Sequence, residues 1–230
     1  MANSIKTFVF LDLEATGLNQ DAPRITELCL VAVHLSSLAN PVMDDSGKPQ
    51  LPRVLDKLCL CVDPDKPFTE GASKITGLNN DNLCTNEKTR FDQRLIKLLS
   101  EFLDRQAQPV CLVAHNGFYY DFPLLKTELK QQNEDFPSSL LCLDSLSALR
   151  NLDKMHNPQP NYGRGYHTLP QLYRRCFDKD PVDSHYAEGD VLTLIMVFLC
   201  KATELLEMGT SIYKRWGEIK PMYGQGQEEI

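Results

Sequence analysis

Apolar and polar positions follow two rhythms along this chain, and the switches between them mark its elements. The run Thr7 to Asp12 is apolar on both faces up to its closing carboxylate, the pattern of a strand covered on both sides. A second apolar run, Ile25 to Leu35, follows the turn-rich GLNQDAP. A third, Val54 to Val62, follows residues 36–53, which carry Pro, Gly, Ser and Asp without periodicity and are expected to be loop. Three strands in succession predict a meander and an antiparallel start to the sheet. The rhythm then becomes helical, with Phe91, Leu95, Leu98, Leu99 and Phe102 on one face, before a short apolar strand at Val110 to Ala114. A helix is expected from about Phe122 to Gln131, with Pro123 in its first turn, where a missing N–H does no harm. A strand at Leu140 to Leu143 follows, then helices around Ser145 to Leu152, Leu169 to Cys176 and from about His185 to Met208. The expected fold class is α/β, a mixed five-stranded sheet with helices on both faces. With no repeat and no linker-like stretch, residues 1–230 are expected to form one domain.

Composition narrows the class. Hydrophobic residues make up 42% and charged residues 24%, an ordinary globular balance. The opening MANSIKTF lacks the basic-then-apolar layout of a signal peptide. Val191 to Cys200 is interrupted by Thr193 and is too short to span a bilayer, so no membrane association is expected. The eight cysteines are scattered, several in apolar runs such as Leu28-Cys29-Leu30 and Val110-Cys111-Leu112. They are expected to be reduced core thiols of an intracellular protein, and Cys59 and Cys61 do not match zinc-knuckle spacing.

A net charge of -7 argues against a nucleic-acid coating protein, though not against an enzyme that acts on nucleic acid. Acids committed to metal inflate the negative count, while Arg150, Lys154, Arg164, Arg174, Arg175 and Lys179 crowd a stretch containing only Asp153 and Asp178. That stretch reads equally as a phosphate-binding patch or as a solvated face.

The chemistry starts at Asp12 and Glu14. At i and i+2 on a strand they share one face, about 7 Å apart, and like charges at the end of an apolar strand are costly without a cation between them. A divalent metal resolves the pair; so does an acidic turn. Asp121 in AHNGFYYDFPLL arrives at a helix start, where it is an N-cap or a third acid facing that pair. Asp190 falls on the packed side of its helix with no base a turn away before Lys201. His185 lies five residues earlier, about 140° around a regular helix from Asp190. It is therefore expected in the loop or first half-turn, over a site that Asp190 lines, with a near-neutral pKa suited to a general base. Four carboxylates and one histidine fit a two-metal site for phosphodiester hydrolysis, and all-oxygen ligation favours magnesium or manganese over zinc.

The segments FLDLEATGL, AHNGFYYDFPLL and HYAEGD resemble the three exonuclease motifs of the DnaQ-like family, in its Asp-Glu-Asp-Asp-His (DEDDh) class. ITELCLVAVH, LPRVLDKL, SKITGL, CLVAHNG and IKPMYG are further similar to the three-prime repair exonucleases of animals, over essentially the whole chain. Phe118 in HNGF, SSLANP and DDSGK, and the expectation of no proline-rich insert and no long hydrophobic tail, bring it nearer the second mammalian member of that family.

The resemblance implies a ribonuclease H-like fold and a homodimer. It implies 3′→5′ removal of nucleoside 5′-monophosphates from single-stranded or frayed DNA ends, single strands preferred. By motif position Asp12, Glu14, Asp121 and Asp190 would hold two Mg2+ ions, replaceable by Mn2+, with Asp12 shared and His185 as general base. Ala15, Thr16, Gly17 and Leu18, with Ile75, Thr76, Gly77 and Leu78, would hold or splay the terminal nucleotides, and Arg105 would lie near the dimer interface. Two departures stand out. The loop NPQPNYGRGYHT offers only Arg164 where the nearer relative is richer in arginine, which predicts weaker and less salt-sensitive DNA binding. Tyr119 occupies a position that is polar or charged in relatives.

Three other functions fit parts of the sequence: an exoribonuclease or proofreading subunit on the same fold, a non-catalytic dimeric interaction protein, and a cysteine hydrolase built on Cys111 and His115. Nucleus and cytoplasm are both compatible with a chain lacking secretion, membrane and dense basic import signals.

Overall fold

The computed structural model describes residues 5–156, 162–209 and 212–224. The first four residues of MANSIKTF and the Asn157 to Asn161 part of the Arg164 loop, which bear on two of the sequence expectations, lie outside the described residues.

The meander forms as expected from β1 (Thr7–Ala15), β2 (Ile25–His34) and β3 (Asp56–Cys61), paired antiparallel. On the other side of β1, β4 (Val110–Ala114) and β5 (Leu141–Asp144) run parallel to it. A further strand, β6 (Tyr213–Arg215), pairs antiparallel with β5. The sheet order is β3-β2-β1-β4-β5-β6, six strands where five were expected. The extra strand is only Tyr-Lys-Arg at a sheet edge, too short and polar to announce itself.

The helices are α1 (Leu35–Ala39), α2 (Glu70–Thr76), α3 (Asn80–Thr85), α4 (Gln93–Asp104), α5 (Asp121–Gln131), α6 (Ser145–His156), α7 (Leu169–Phe177), α8 (Ala187–Cys200) and α9 (Ala202–Glu207). Three of them were not expected. The start of the presumed 36–53 loop is helix α1, stabilised by a hydrogen bond from the Ser36 N–H to His34 Nδ1 and by burial of Leu38. Short α2 and α3 depend on caps more than on periodicity: Thr69 caps the first, and Asn79 with Asn82 forms a reciprocal box on the second. The long helix expected to Met208 breaks at Lys201, whose φ of -124° and ψ of 17° leave helical geometry.

Strand alternation sorts the core into two layers. Val9, Leu11 and Leu13 pack with Leu95, Leu99 and Phe102 of α4 and Phe122, Leu125 and Leu129 of α5. Phe8 and Phe10 face the other way, onto Val191, Leu194, Ile195 and Phe198 of α8. Phe10 meets Phe198 edge-on at 5.3 Å. Each such aromatic contributes about 1.5–3 kcal/mol through burial. α8 is therefore pinned against β1, and its N-terminus is set above the C-terminal end of that strand.

All eight cysteines are free, but only Cys29, Cys111 and Cys142 are buried. Cys59 and Cys84 are exposed and Cys61, Cys176 and Cys200 are partly so, which corrects the expectation of core thiols. The reason for Cys59 and Cys61 is position: β3 is one of the two edge strands, and the side carrying Lys57, Cys59 and Cys61 is only partly covered.

Candidate active site

Asp12 and Glu14 continue the Phe8–Phe10 row on β1, emerging where the cover supplied by α8 runs out. The β1–β2 ladder slips between Glu14 and Ala15, ending regular pairing beside the acids. Asp121 is the first residue of α5 and only 4% exposed. It is not the N-cap. That position is Tyr120, which makes no side-chain cap hydrogen bond, and the backbone N–H groups of Asp121 itself and of Leu13 favour the charged Asp121 carboxylate. Leu13 lies between Asp12 and Glu14, so the third acid is attached to the strand that carries the first two.

His185 sits in the turn before α8, as expected, with its backbone N–H donating to Asp190 Oδ2 at 3.0 Å. The turn is tight: Asp183 and His185 have φ of 54° and 66°, in the left-handed region. Gly189 permits it, because a Cβ there would lie 2.1 Å from the Asp183 carbonyl oxygen. Glu14, His185 and Asp190 each offer a ligand atom within 4.8 Å of the others. The histidine assigned as a base on sequence grounds thus also lies within reach as a ligand.

Two acids escaped the sequence reading. Glu27 on β2 stands opposite Glu14, and its Oε2 accepts the Ala187 N–H at 3.0 Å, capping the first turn of α8. Its signal was a lone carboxylate in the apolar run ITELCLVAVH. Asp144, buried at the end of β5, accepts the N–H groups of Asn116 and Leu146 at 3.0 Å and so ties the turn after β4 to the start of α6.

The acids crowd one another. Burial first, and then the charges of Asp121, Asp190, Glu14 and Glu27, push Asp12 well above the ordinary carboxylate range. Burial, then Asp190, Glu27 and Asp121, push Glu14 up to about 8. Asp121 rises to about 7 through burial, with Asp144 and Asp190 adding and the two backbone N–H groups opposing. Asp190 is raised by burial and partly relieved by His185. Such a set holds protons near neutrality unless a cation replaces them, and all-carboxylate donors fit a hard divalent ion.

The residues expected at the nucleotide form a rim. Ala15 and Thr16 are buried, and Thr16 is used internally: its Oγ1 accepts the Arg24 N–H at 3.0 Å and its carbonyl accepts that of Thr69 at 2.8 Å. The Tyr120 hydroxyl donates to the Gly17 carbonyl at 2.5 Å. A Cβ at Gly17 would come within 2.7 Å of Asp21 Oδ2, so the close approach requires glycine. Thr76 is buried, its hydroxyl donating to the Ala72 carbonyl at 3.0 Å. Gly77 ends α2 at a φ of 72°, and the Leu78 N–H returns to the Thr76 hydroxyl at 3.1 Å. Leu18, Ile75 and Tyr119 carry exposed side chains. Asn19 Nδ2 donates to the Tyr119 carbonyl at 3.2 Å, joining two stretches of this rim.

Arg164 lies with Arg150, Lys154, His115 and Asn116 around a cavity of about 710 Å³ beyond the end of β4. Within the rest of the basic stretch, Arg174 pairs with Asp180, and Arg175 stacks 3.8 Å from the centre of the Tyr166 ring. Arg105 is exposed, with Nε 3.6 Å from Asp56 Oδ2 at the start of β3. The Cys111–His115 hydrolase reading fails on geometry. Cys111 is fully buried with its thiol pushed up by burial, and both His115 ring nitrogens are occupied, by Ser145 Oγ and the His167 carbonyl, each at 2.9 Å. Among the described residues, no helix is long and apolar enough to cross a membrane.

The sequence and the fold both match known proteins. The RNase_T exonuclease family model matches residues 9–198. Human three prime repair exonuclease 2 is 51% identical over 219 residues, covering 95% of this chain and 93% of the relative. Among solved structures, the nuclease domain of 3′hExo, a DEDDh family member bound to rAMP, aligns with a TM-score of 0.65 at 12% identity, covering 91% of this chain and 98% of that one. E. coli exonuclease I in complex with single-stranded DNA aligns with a TM-score of 0.63 at 17% identity, over 87% of this chain and 41% of that one. At those identities the two structures speak for the fold alone. The matched family model and the half-identical relative, joined to the acids gathered around β1, settle the family: this chain belongs to the DnaQ-like DEDDh exonucleases, among the three-prime repair exonucleases.

Proposed function

We propose that residues 1–230 act as a single metal-dependent 3′→5′ exonuclease domain on DNA. It would release nucleoside 5′-monophosphates from single-stranded or frayed ends. The observation that carries this reading is the convergence of Asp12, Glu14, Asp121, Asp190 and His185, from one strand and two helix starts, into one crowded acidic site. Asp12, Glu14, Asp121 and Asp190 would hold the metal in this reading. Two bound Mg2+ ions, or Mn2+ in their place, would activate the attacking water and offset charge on the leaving 3′ oxygen. His185, on the exposed turn, would take up the proton of the attacking water, and Asp190 holds its backbone in place.

The rim supplies position. Leu18 and Ile75 offer apolar surface against the terminal base, and Tyr119 offers a ring for stacking. Thr16 and Thr76 act through the backbone they fix, because their hydroxyls are already engaged. Ala15 and Gly17 keep the strand end narrow. Arg164, with Arg150 and Lys154, would hold phosphates farther along the strand. We further propose a homodimer with Arg105 near its interface, and residence in the nucleus, the cytoplasm or both.

The test is a time course on a 5′-labelled single-stranded DNA oligomer with Mg2+, repeated with EDTA and with RNA of the same sequence. A ladder shortening from the 3′ end only with metal, and faster on DNA, is expected. An intact DNA oligomer under both conditions refutes the assignment, and faster RNA loss shifts it to an exoribonuclease.

A further inference from the structure

The sheet face that carries the acids continues past them into sulfur. Cys29 on β2 is the direct partner of Asp12 on β1, and Cys59 on β3 is the direct partner of Cys29. The neighbouring Cys29 is the largest influence on the Cys59 thiol and lowers it. Cys29 is fully buried and Cys59 is exposed, and both are free. Directly opposed residues on antiparallel strands have Cα atoms about 4.5–5.5 Å apart. That falls within the roughly 4.4–6.8 Å that a disulfide spans. Lys57, two residues before Cys59 on the same side of the strand, adds a weaker favourable charge against burial and Glu188. The exposed partner is thus the one biased toward thiolate, the reactive form.

We propose that Cys29 and Cys59 form a reversible disulfide site, closed by two-electron oxidation with a peroxide. The Cys59 thiolate attacks a peroxide oxygen; the O–O bond breaks, leaving a sulfenic acid and a hydroxide that takes up the proton Cys59 gave away. The Cys29 sulfur then attacks the sulfenic sulfur. The S–S bond forms, the S–O bond breaks, and the hydroxyl departs as water with the Cys29 proton. Two thiols are oxidised to one disulfide and one peroxide is reduced to two waters. The bond fastens β3 to β2, the strand whose Glu27 holds the N-terminus of α8.

The test uses the full chain, metal-free, treated with hydrogen peroxide, alkylated and digested without reductant for mass spectrometry. A second pair of thiols that influence one another, Cys176 and Cys200, makes peptide-level mapping necessary. The expected product is a Cys29–Cys59 cross-linked peptide, lost on treatment with dithiothreitol, with a melting temperature several degrees above the reduced protein. Cys59→Ser should leave Cys29 a free thiol, and Cys29→Ser should leave a sulfenic acid at Cys59 that dimedone traps. Melting of the reduced variants checks that both still fold. The proposal is overturned if both residues remain alkylated thiols at a dose that oxidises exposed Cys84, or if Cys59 pairs with Cys61 or with another chain.

Discussion

Replacing Glu14 with glutamine keeps the shape of the side chain and removes one charge from the most crowded part of the site. Its carboxyl ordinarily titrates at 4.5 and is pushed to about 8 by burial and by Asp190, Glu27 and Asp121. An acid raised in the folded state leaves stability intact below 4.5 and loses it as pH climbs through about 8. Each pH unit across that interval is about 1.4 kcal/mol, so ionising Glu14 costs the metal-free fold up to about 4 kcal/mol at pH 8 and about 1 kcal/mol at pH 5. Movement of the exposed His185 turn and entry of water reduce the first figure to about 2–4 kcal/mol. For a chain of this size that is roughly 4–16 °C in melting temperature. Glu14→Gln in EDTA should therefore melt several degrees above the parent at pH 8 and within about 4 °C of it at pH 5. Saturating Mn2+ should close most of the gap at pH 8, because ligand at a hundredfold excess over its Kd adds about 2.7 kcal/mol to the protein that binds it. Differential scanning calorimetry across pH reads all of this. The reasoning is refuted if the displacement is the same at both pH values, or if the variant melts below the parent at pH 8 without metal.

His185→Ala should lower kcat by about 10²–10⁴-fold, as expected for loss of a general base, while calorimetry still detects Mn2+ on the remaining acids. Gly189→Ala places a methyl group where the Asp183 carbonyl now lies, so it should displace the His185 turn and cut activity more than it lowers the melting temperature. Glu128 binds Arg24 through both oxygens, at 2.9 and 3.0 Å, and accepts the Ile25 N–H as well, all beneath the start of β2. Glu128→Gln leaves that guanidinium poorly matched and should cost about 3–5 kcal/mol in urea unfolding with little change in KM.

The long apolar runs were legible because burial imposes period and length on them; β1, β2, β4 and α4 were all evident in the pattern. The parts that escaped the pattern are held by single polar contacts. α1 depends on His34, α3 on an asparagine pair, and β6 on a three-residue edge pairing with β5. The site was legible where charge stood against its surroundings, as at Asp12 and Asp190. Asp121 was ambiguous because an acid at a helix start has a structural use, and only the Leu13 N–H shows which neighbour it serves. Glu27 and Asp144 went unnoticed because each acts on backbone groups distant in sequence. Arg164 was grouped with its neighbours in sequence, while the fold pairs off Arg174 and stacks Arg175.

The site draws its first acids from β1 and its last acid and histidine from the segment that packs back over that strand as α8. During synthesis the two halves are separated by most of the chain. A ribosome-bound fragment that has not yet released α8 has no seat for His185 or Asp190, and its Asp12 has nothing to converge upon. Cleavage competence therefore appears all at once, when α8 folds back onto β1. Products of translation interrupted before α8 are left without the capacity to cut.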